Sequence, residues 1–254
     1  MTRYIVFANR KGGCGKTTTS VNVSYALSLK GYKVLLVDVD PQAHASISLG
    51  ISYRETRTTI SNILKNEITP KDAITSTSCK NLKVIPSSPE LIAFEMNTDA
   101  QKGKEILLSE KIYELGTEFD FIIFDPPPTV GILTISSLVA AKEVYIPMQM
   151  NFLSMEGLAE MMRLIYTVCA TWNPYLRLAG VIPTFLNKNT RLSKEISIDI
   201  KKNFGKEKLF PGVRANVSLA EAPGHGKSIF EYAQESIGAI DYMEITEKII
   251  NYAG

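Results

Sequence analysis

The chain has 254 residues, 45% of them hydrophobic and 21% charged, and a formal net charge of +2. This composition is ordinary for a globular protein. Because the net charge is close to zero, it does not by itself predict a charged partner. Three cysteines without paired or metal-like spacing indicate neither a disulfide framework nor a structural zinc site. The absence of an apolar stretch of about 20 residues, and an N-terminal apolar run too short for a signal peptide, favour a cytoplasmic protein.

Short β-branched runs alternate with longer helical patterns along the chain. The predicted strands cover residues 3–8, 32–40, 81–87, 119–125, 143–149 and 177–186. The predicted helices cover residues 17–30, 88–96, 158–172, 192–204 and 239–253. The helix at 88–96 is predicted to start with Ser88 as its N-cap and Pro89 at its first position.

Apolar strands that alternate with helices indicate a mostly parallel, twisted sheet with helices on both faces. No linker, repeat or low-complexity segment interrupts the pattern. We therefore expect one α/β domain over residues 1–254, with a P-loop NTPase fold and no helix-turn-helix domain before the first loop.

The stretch "NRKGGCGKTTTS" (residues 9–20) follows the first strand and opens the first helix. Gly12, Gly13 and Gly15 allow backbone N–H groups to form an anion nest, and the helix directs its positive end toward a phosphate. The common phosphate-loop pattern has glycine where this chain has Arg10. Cys14 is interpreted as a small buried apolar residue of the loop.

Three side chains after these glycines are of the types that bind the phosphates and the metal ion of a nucleoside triphosphate. Lys16 is predicted to reach the β- and γ-phosphates and Thr17 to coordinate Mg²⁺. Thr18 is a candidate for the α-phosphate. The alternative, a glycine-rich turn without a ligand, becomes less favourable because two acidic strand ends accompany the loop.

The second strand runs into "DVDPQ" and a later one into "FDPPP". In open α/β sheets ligands bind outside the carboxyl ends of strands, so Asp40 and Asp125 are both candidate neighbours of the phosphates and the metal. Asp125 is predicted to hold Mg²⁺ through a water, and Asp40 to orient or activate the attacking water. Asp38 is an alternative for either role, or a buried capping acid.

Several segments together resemble one family. "KGGCGKTT" resembles the deviant Walker A motif of the ParA/MinD ATPases. Four further segments resemble those of Soj-type partition ATPases in the same order: "LLVDVDPQAHAS", "FIIFDPPPTVGILTISSL", "IPMQMNFLSMEGLAEM" and "NVSLAEAPGHGKSIFEY". The resemblance covers essentially the whole chain.

The resemblance implies an ATP-dependent sandwich homodimer that uses ATP and Mg²⁺. Lys11 would reach across the interface to the partner's nucleotide, and Gly12 would lie where the two loops approach. Such a cation stabilises charge that develops on the leaving group. Asn187 matches the position that contacts adenine in the family, and the segment 216–223, including Pro223, would border the base.

A DNA-binding surface is the next expectation. Segment 187–214 carries a net charge of +5 against −3 for the rest of the chain, which is typical of a phosphate-backbone footprint. The chain departs from the family at Asn189 and Ser218, where Soj-like proteins carry arginines. The candidate DNA contacts are Lys188, Arg191, Lys194, Lys201, Lys202 and Arg214.

These features predict a ParA-like ATP hydrolase, slow by itself, that binds DNA nonspecifically and associates with the nucleoid. A ParB-like or other partner protein would stimulate hydrolysis as the protein segregates or positions its cargo. One alternative is a membrane-cycling regulator like MinD, although "ITEKIINYAG" at the C-terminus has a single lysine. A metal–sulfur reductase and a non-enzymatic nucleotide sensor are further alternatives.

Overall fold

A largely parallel β-sheet forms the centre of the chain in the computed structural model, which describes residues 1–96, 103–152, 154–187 and 190–252. Lys188 and Asn189, both named above, lie outside these ranges. The strands are β1 (Arg3–Phe7), β2 (Val34–Asp38), β3 (Thr75–Ser76), β4 (Leu82–Ile85), β5 (Phe121–Asp125), β6 (Glu143–Gln149) and β7 (Arg177–Thr184).

The strands lie side by side in the order β3-β4-β2-β5-β1-β6-β7. Every neighbouring pair is parallel except β3 and β4. β5 lies between β2 and β1, and its pairing with β2 places Asp38 directly opposite Asp125. The carboxyl ends of β1, β2 and β5 therefore meet at one edge of the sheet, where ligands of open α/β folds bind.

Helices cover both faces of the sheet. Their bounds are α1 (Lys16–Leu29), α2 (His44–Ser48), α3 (Ile60–Leu64), α4 (Leu91–Met96), α5 (Lys104–Tyr113), α6 (Ile132–Ala140), α7 (Ser154–Thr171), α8 (Arg191–Phe204), α9 (Val217–Glu221), α10 (Ile229–Tyr232) and α11 (Ile237–Ile250). Within the described ranges, no helix is both long and apolar enough to cross a bilayer.

Two apolar cores flank the sheet because successive strand residues point to opposite faces. Val6 of β1 faces a core that includes residues of α3, α5, α6, α7 and α8. Its neighbours Ile5 and Phe7 face a second core formed with α1, α10 and α11. The central strands are buried on both sides, which explains why they read as continuous apolar runs in the sequence.

The observed architecture confirms the predicted α/β fold, and the predicted strands and helices appear with shifted ends. The helix expected at 88–96 begins at Leu91, because the Ser88 and Pro89 carbonyls accept from the N–H groups of Leu91 and Ile92 in a preceding turn. The periodicity did not predict β3 or the helices α2, α3, α5, α6, α9 and α10. All of these except α5 and α6 span only two to five residues, too few for a periodic pattern to develop. The segments of α5 and α6 are longer, and no element was predicted for them.

An ion pair ties the first strand to the sixth at the edge of the sheet opposite to the loop. Arg3 donates to both carboxylate oxygens of Glu143, from Nε at 2.9 Å and from Nη2 at 2.6 Å. Its Nη1 donates to the Ile249 carbonyl of α11, and the Tyr145 hydroxyl donates to Glu143. Since Glu143 is buried, these bonds compensate the cost of removing its charge from water.

Replacement of Glu143 by Gln should therefore destabilise the protein, by about 3 kcal/mol, because it leaves a largely buried guanidinium without its counterion. Urea unfolding measures the change. Glu247→Gln is the matched control, since its pair with Lys30 is exposed and should contribute less than about 1 kcal/mol. Equal losses in the two variants would contradict this account.

Candidate functional site

The loop between β1 and α1 depends on two glycines in the left-handed region. Gly13 has φ 68° and Gly15 has φ 88°, values that favour glycine strongly. A Cβ on Gly15 would also lie 3.3 Å from the methyl carbon of Thr184, whose hydroxyl donates to the Cys14 carbonyl at 2.8 Å. The loop is thus fixed against β7, in a conformation typical of anion-binding nests.

Lys16 is the first residue of α1, and its side chain folds back over the loop. Its Nζ donates to the Lys11 carbonyl at 3.3 Å, and the residue is buried. Among the described residues, none apart from the two chain neighbours of Gly12 has an atom within 4 Å of the place where its Cβ would stand, so the outer side of the loop is open. The loop therefore encloses the side chain of Lys16. We call its open outer side, at Lys11 and Gly12, the mouth of the loop.

Asp125, at the end of β5, is fixed by the first turns of α1. It accepts hydrogen bonds from the Thr17 hydroxyl at 2.8 Å and the Ser20 hydroxyl at 2.7 Å. Burial raises the pKa of this carboxyl to about 6, although the two hydroxyl bonds oppose the shift. Thr17 and Asp125 thus form a pair of oxygen ligands of the kind that Mg²⁺ takes.

Asp38, at the end of β2, uses both of its carboxylate oxygens in hydrogen bonds within the protein. Its Oδ2 accepts from both the backbone N–H and the hydroxyl of Ser46, at 2.8 and 2.7 Å. Its Oδ1 accepts from the Asp40 N–H. Burial and then the nearby Asp125 raise the pKa of Asp38 to about 8. These contacts match the capping acid that the sequence left open as one interpretation.

Asp40 lies two residues beyond β2 and has a different environment. Its Oδ1 accepts from the Gln42 N–H at 2.9 Å, and its other carboxylate oxygen accepts no hydrogen bond from a described residue. The side chain follows the same strand end as Asp38 but does not cap a helix. Of the two acids, Asp40 is therefore the one with an oxygen available to a water.

A cavity of about 160 Å³ adjoins the loop on the side of β7. Gly15 and Thr18 line it together with Asn216, Leu219 and Ala220, members of the segment that was predicted to border the base. The described lining residues include neither Asn187 nor Pro223, so their contacts with adenine stay predictions.

Two further lining residues of this cavity are notable. Phe185 is 57% exposed and has φ 50°, an unusual conformation for a residue with a Cβ. Arg214 is held by Asp241, which accepts from its Nη2 at 2.6 Å and from its backbone N–H at 2.8 Å. The arginine that the sequence grouped with the DNA contacts is thus engaged at the cavity wall.

The remaining basic candidates in the described ranges lie on α8. Lys194, Lys201 and Lys202 are exposed, and Arg191 pairs with Glu195 one turn away. The opposite side of the helix is buried through Ile196 and Ile200. α8 therefore presents an apolar face to the core and a solvent face on which basic side chains outnumber the acidic Glu195 and Asp199.

Sequence reasoning missed three polar residues that shape the site. Ser20 and Ser46 hold the two buried acids, and Gln149 donates from Nε2 to the Gly13 carbonyl at 3.1 Å. Gln149 ends β6 at the same sheet edge, which was a usable signal. The two serines gave none, because helical serines usually bond to their own backbone.

A glycine-rich loop between a central strand and a helix, with acids at the ends of two neighbouring strands, defines a P-loop NTPase fold. Comparison with known proteins gives the family. The family described as "AAA domain" matches residues 2–178. The chain is 35% identical to the sporulation initiation inhibitor protein Soj of Bacillus subtilis, over 98% of each chain.

A second relative, the chromosome partitioning protein ParA of Caulobacter vibrioides, is 32% identical over 98% of this chain and 94% of its own. Among solved structures, the cobyrinic acid a,c-diamide synthase of Mycobacterium smegmatis with bound ADP and magnesium is 30% identical, with a TM-score of 0.85 over 98% of this chain and 94% of that one. The chain belongs to the ParA/Soj family of partition ATPases.

The buried acids make stability depend on pH in the absence of nucleotide and Mg²⁺. Because the pKa of folded Asp38, about 8, lies above that of an exposed aspartate, the folded state holds a proton that the unfolded state releases. The free energy of unfolding should fall as pH rises toward about 8, by up to about 1.4 kcal/mol per pH unit. Urea unfolding at about pH 6.5 and about pH 7.5 measures this slope.

Asp38→Asn is the control, because an amide has no proton to release in this range. Its stability should change less than that of the wild type between the two pH values. Identical slopes in the two proteins would mean that Asp38 is not the titrating group.

Proposed function

We propose that this protein binds and hydrolyses ATP, that its ATP-bound form is a homodimer, and that the dimer binds DNA nonspecifically to segregate or position a cargo. A ParB-like or other partner protein would stimulate hydrolysis. One observation carries the proposal: the glycine loop, Lys16 and the Thr17–Asp125 pair lie together at the sheet edge formed by the carboxyl ends of the strands.

The donor set fits a magnesium nucleotide. Mycobacterium smegmatis structures 30% identical to this chain contain ADP or an ATP analogue with magnesium. Here Thr17 would hold Mg²⁺ directly and Asp125 through a water, and the ion would neutralise charge on the phosphate oxygens. Lys16 would exchange its bond to the Lys11 carbonyl for the β- and γ-phosphate oxygens.

Hydrolysis needs a water in line with the bond between the γ-phosphorus and the β–γ bridging oxygen. Asp40 would orient that water through Oδ2, the carboxylate oxygen that accepts no hydrogen bond from the described part of the chain. As the water oxygen bonds to phosphorus, the bridging bond breaks, and ADP and phosphate result. Positioning and charge stabilisation supply most of the acceleration in such reactions.

The mouth of the loop suits an interface with a second copy. The described structure leaves open space where a Cβ of Gly12 would stand, and none of its ion pairs involves Lys11. Across a two-fold axis, Lys11 would meet the partner's phosphates while Lys16 serves its own. This division explains why one loop carries two lysines.

The exposed face of α8 is the proposed DNA surface. Lys194, Lys201 and Lys202 give it positive charge, and dimerisation would double the footprint. A membrane surface is less well supported. α11 packs into the core through Tyr242, Ile245 and Ile249, and the last turn of this helix carries one basic residue, Lys248.

The two lysines should separate by function. Lys16→Ala should weaken ATP binding about 100-fold, because it removes a charge-assisted contact to the phosphates. Lys11→Ala should keep monomer binding within about threefold, yet lower turnover at dimer-forming concentrations about 100-fold. Fluorescent-nucleotide titration of dilute protein and phosphate release measure the two quantities.

Asp40→Ala is the comparison variant, because we expect it to form the ATP-bound dimer without hydrolysing ATP. It should bind ATP and dimerise without appreciable phosphate release. If Lys11→Ala loses monomer binding as completely as Lys16→Ala does, then Lys11 acts within its own subunit and the trans assignment fails.

DNA affinity should require ATP and fall steeply with salt, with a log–log slope that drops by about 0.9 for each phosphate contact removed. The triple variant Lys194→Gln, Lys201→Gln, Lys202→Gln should therefore bind more weakly and with a shallower slope. Fluorescence anisotropy with a DNA duplex of arbitrary sequence, in the presence of a non-hydrolysable ATP analogue, measures the affinity and its salt dependence.

The matched control changes three exposed lysines outside the basic segment, Lys33, Lys65 and Lys80, to glutamine. It removes the same total charge and should keep the wild-type slope. Equal effects of the two triple variants would assign the salt dependence to net charge, and would withdraw α8 as the contact surface.

A further inference from the structure

The mouth of the phosphate loop faces a cleft against the start of α7. The cleft encloses about 430 Å³ and is lined by Arg10 and Lys11 from the loop and by Glu156 and Glu160 from the helix. Gln149 lines it as well and bonds to the loop backbone at Gly13. A hydrogen bond thus joins the loop to the end of β6, and an ion pair joins it to α7.

The ion pair links Arg10 to Glu160, with Nη1 and Oε2 3.0 Å apart. The side chains are 44% and 35% exposed. Pairs this exposed contribute little to folding stability. Arg10 also stands where the common phosphate-loop pattern has glycine. A role in stability therefore does not account for the pair.

The charge of the loop suggests another role. Arg10 and Lys11 are adjacent, and the proposed dimer would bring two such loops together at Gly12. Four cations would then face one another near the axis. Repulsion between like charges opposes such an approach, and it acts more strongly where an interface excludes water. Glu160 neutralises one of the two cations on each loop before the subunits meet.

We infer that Glu160 is an interface-enabling residue: by pairing with Arg10 in the same subunit, it leaves Lys11 as the single uncompensated cation that each loop mouth presents to a second copy of the chain. The inference rests on the proposed function. It assigns the Arg10–Glu160 pair to the energetics of dimer closure rather than to folding or to nucleotide binding.

Neighbouring groups provide the controls. Glu156 lies one helical turn before Glu160 and is exposed in the same cleft, and no ion pair joins it to a described residue. Glu156→Gln therefore removes the same charge from the cleft without releasing Arg10. Arg10→Gln removes the cation itself, so Glu160 should become dispensable in that background.

The experiment is a double-mutant cycle on the dimer dissociation constant, measured by analytical ultracentrifugation with a non-hydrolysable ATP analogue and Mg²⁺. Glu160→Gln should weaken the dimer about tenfold at low salt, and the deficit should shrink at about 0.5 M salt. Glu156→Gln, Arg10→Gln and the double variant Arg10→Gln, Glu160→Gln should stay within about threefold of wild type. Monomer affinity for the analogue should not change.

Each of the following results would overturn the inference. Glu156→Gln could weaken the dimer as much as Glu160→Gln, which would indicate a general charge effect. The double variant could stay as weak as Glu160→Gln while Arg10→Gln alone resembles the wild type, which would mean that Glu160 acts without Arg10. Arg10→Gln alone could be as weak as Glu160→Gln, which would give Arg10 a contact with the partner. A wild-type chain that stays monomeric with the analogue would remove the proposed dimer as well, whereas a wild-type dimer that ignores Glu160→Gln removes the inference alone.

Discussion

The hydrogen bonds from Thr17 and Ser20 to Asp125 join the three parts on which the site depends. The two donors lie on successive turns at the start of α1, and the acceptor ends the strand next to β1 in the sheet. Through these bonds the glycine loop, the helix that follows it and the acidic strand end hold one geometry. A loop attached only at its ends would have to be ordered by the ligand, at a cost in binding free energy.

This geometry has a cost in stability. Asp38 and Asp125 are buried directly opposite each other on neighbouring strands, and the pKa of both carboxyls is raised by burial. Hydroxyl and amide donors compensate only part of the loss of hydration. Folds keep such unfavourable arrangements mainly at functional sites, and a bound cation would relieve this one. The acids at this edge are therefore better explained by ligand chemistry than by folding.

The family relationship and the structure answer different questions. Identity of about one third over nearly the whole chain places the protein among the partition ATPases. Asn189 and Ser218 stand where the resemblance leads us to expect arginines, so the proposed DNA binding would need basic residues elsewhere in the chain. Exposed lysines on α8 offer a replacement, whereas Arg214 is engaged by Asp241 beside the cavity. Each cation in a sequence-level cluster therefore has to be assigned from its own contacts.

Much of the fold and part of the site followed from local patterns. Glycine spacing marked the loop, apolar runs marked the strands, and acids at strand ends marked Asp40 and Asp125, because these signals lie within a few consecutive residues. The tertiary structure alone decided which strands are neighbours, and so that Asp38 faces Asp125 and binds Ser46. It also decided that Arg10 pairs with Glu160 and Arg214 with Asp241. The partners in these two ion pairs are far apart in the chain, and only the packing of α7 and α11 on the sheet brings them within bonding distance.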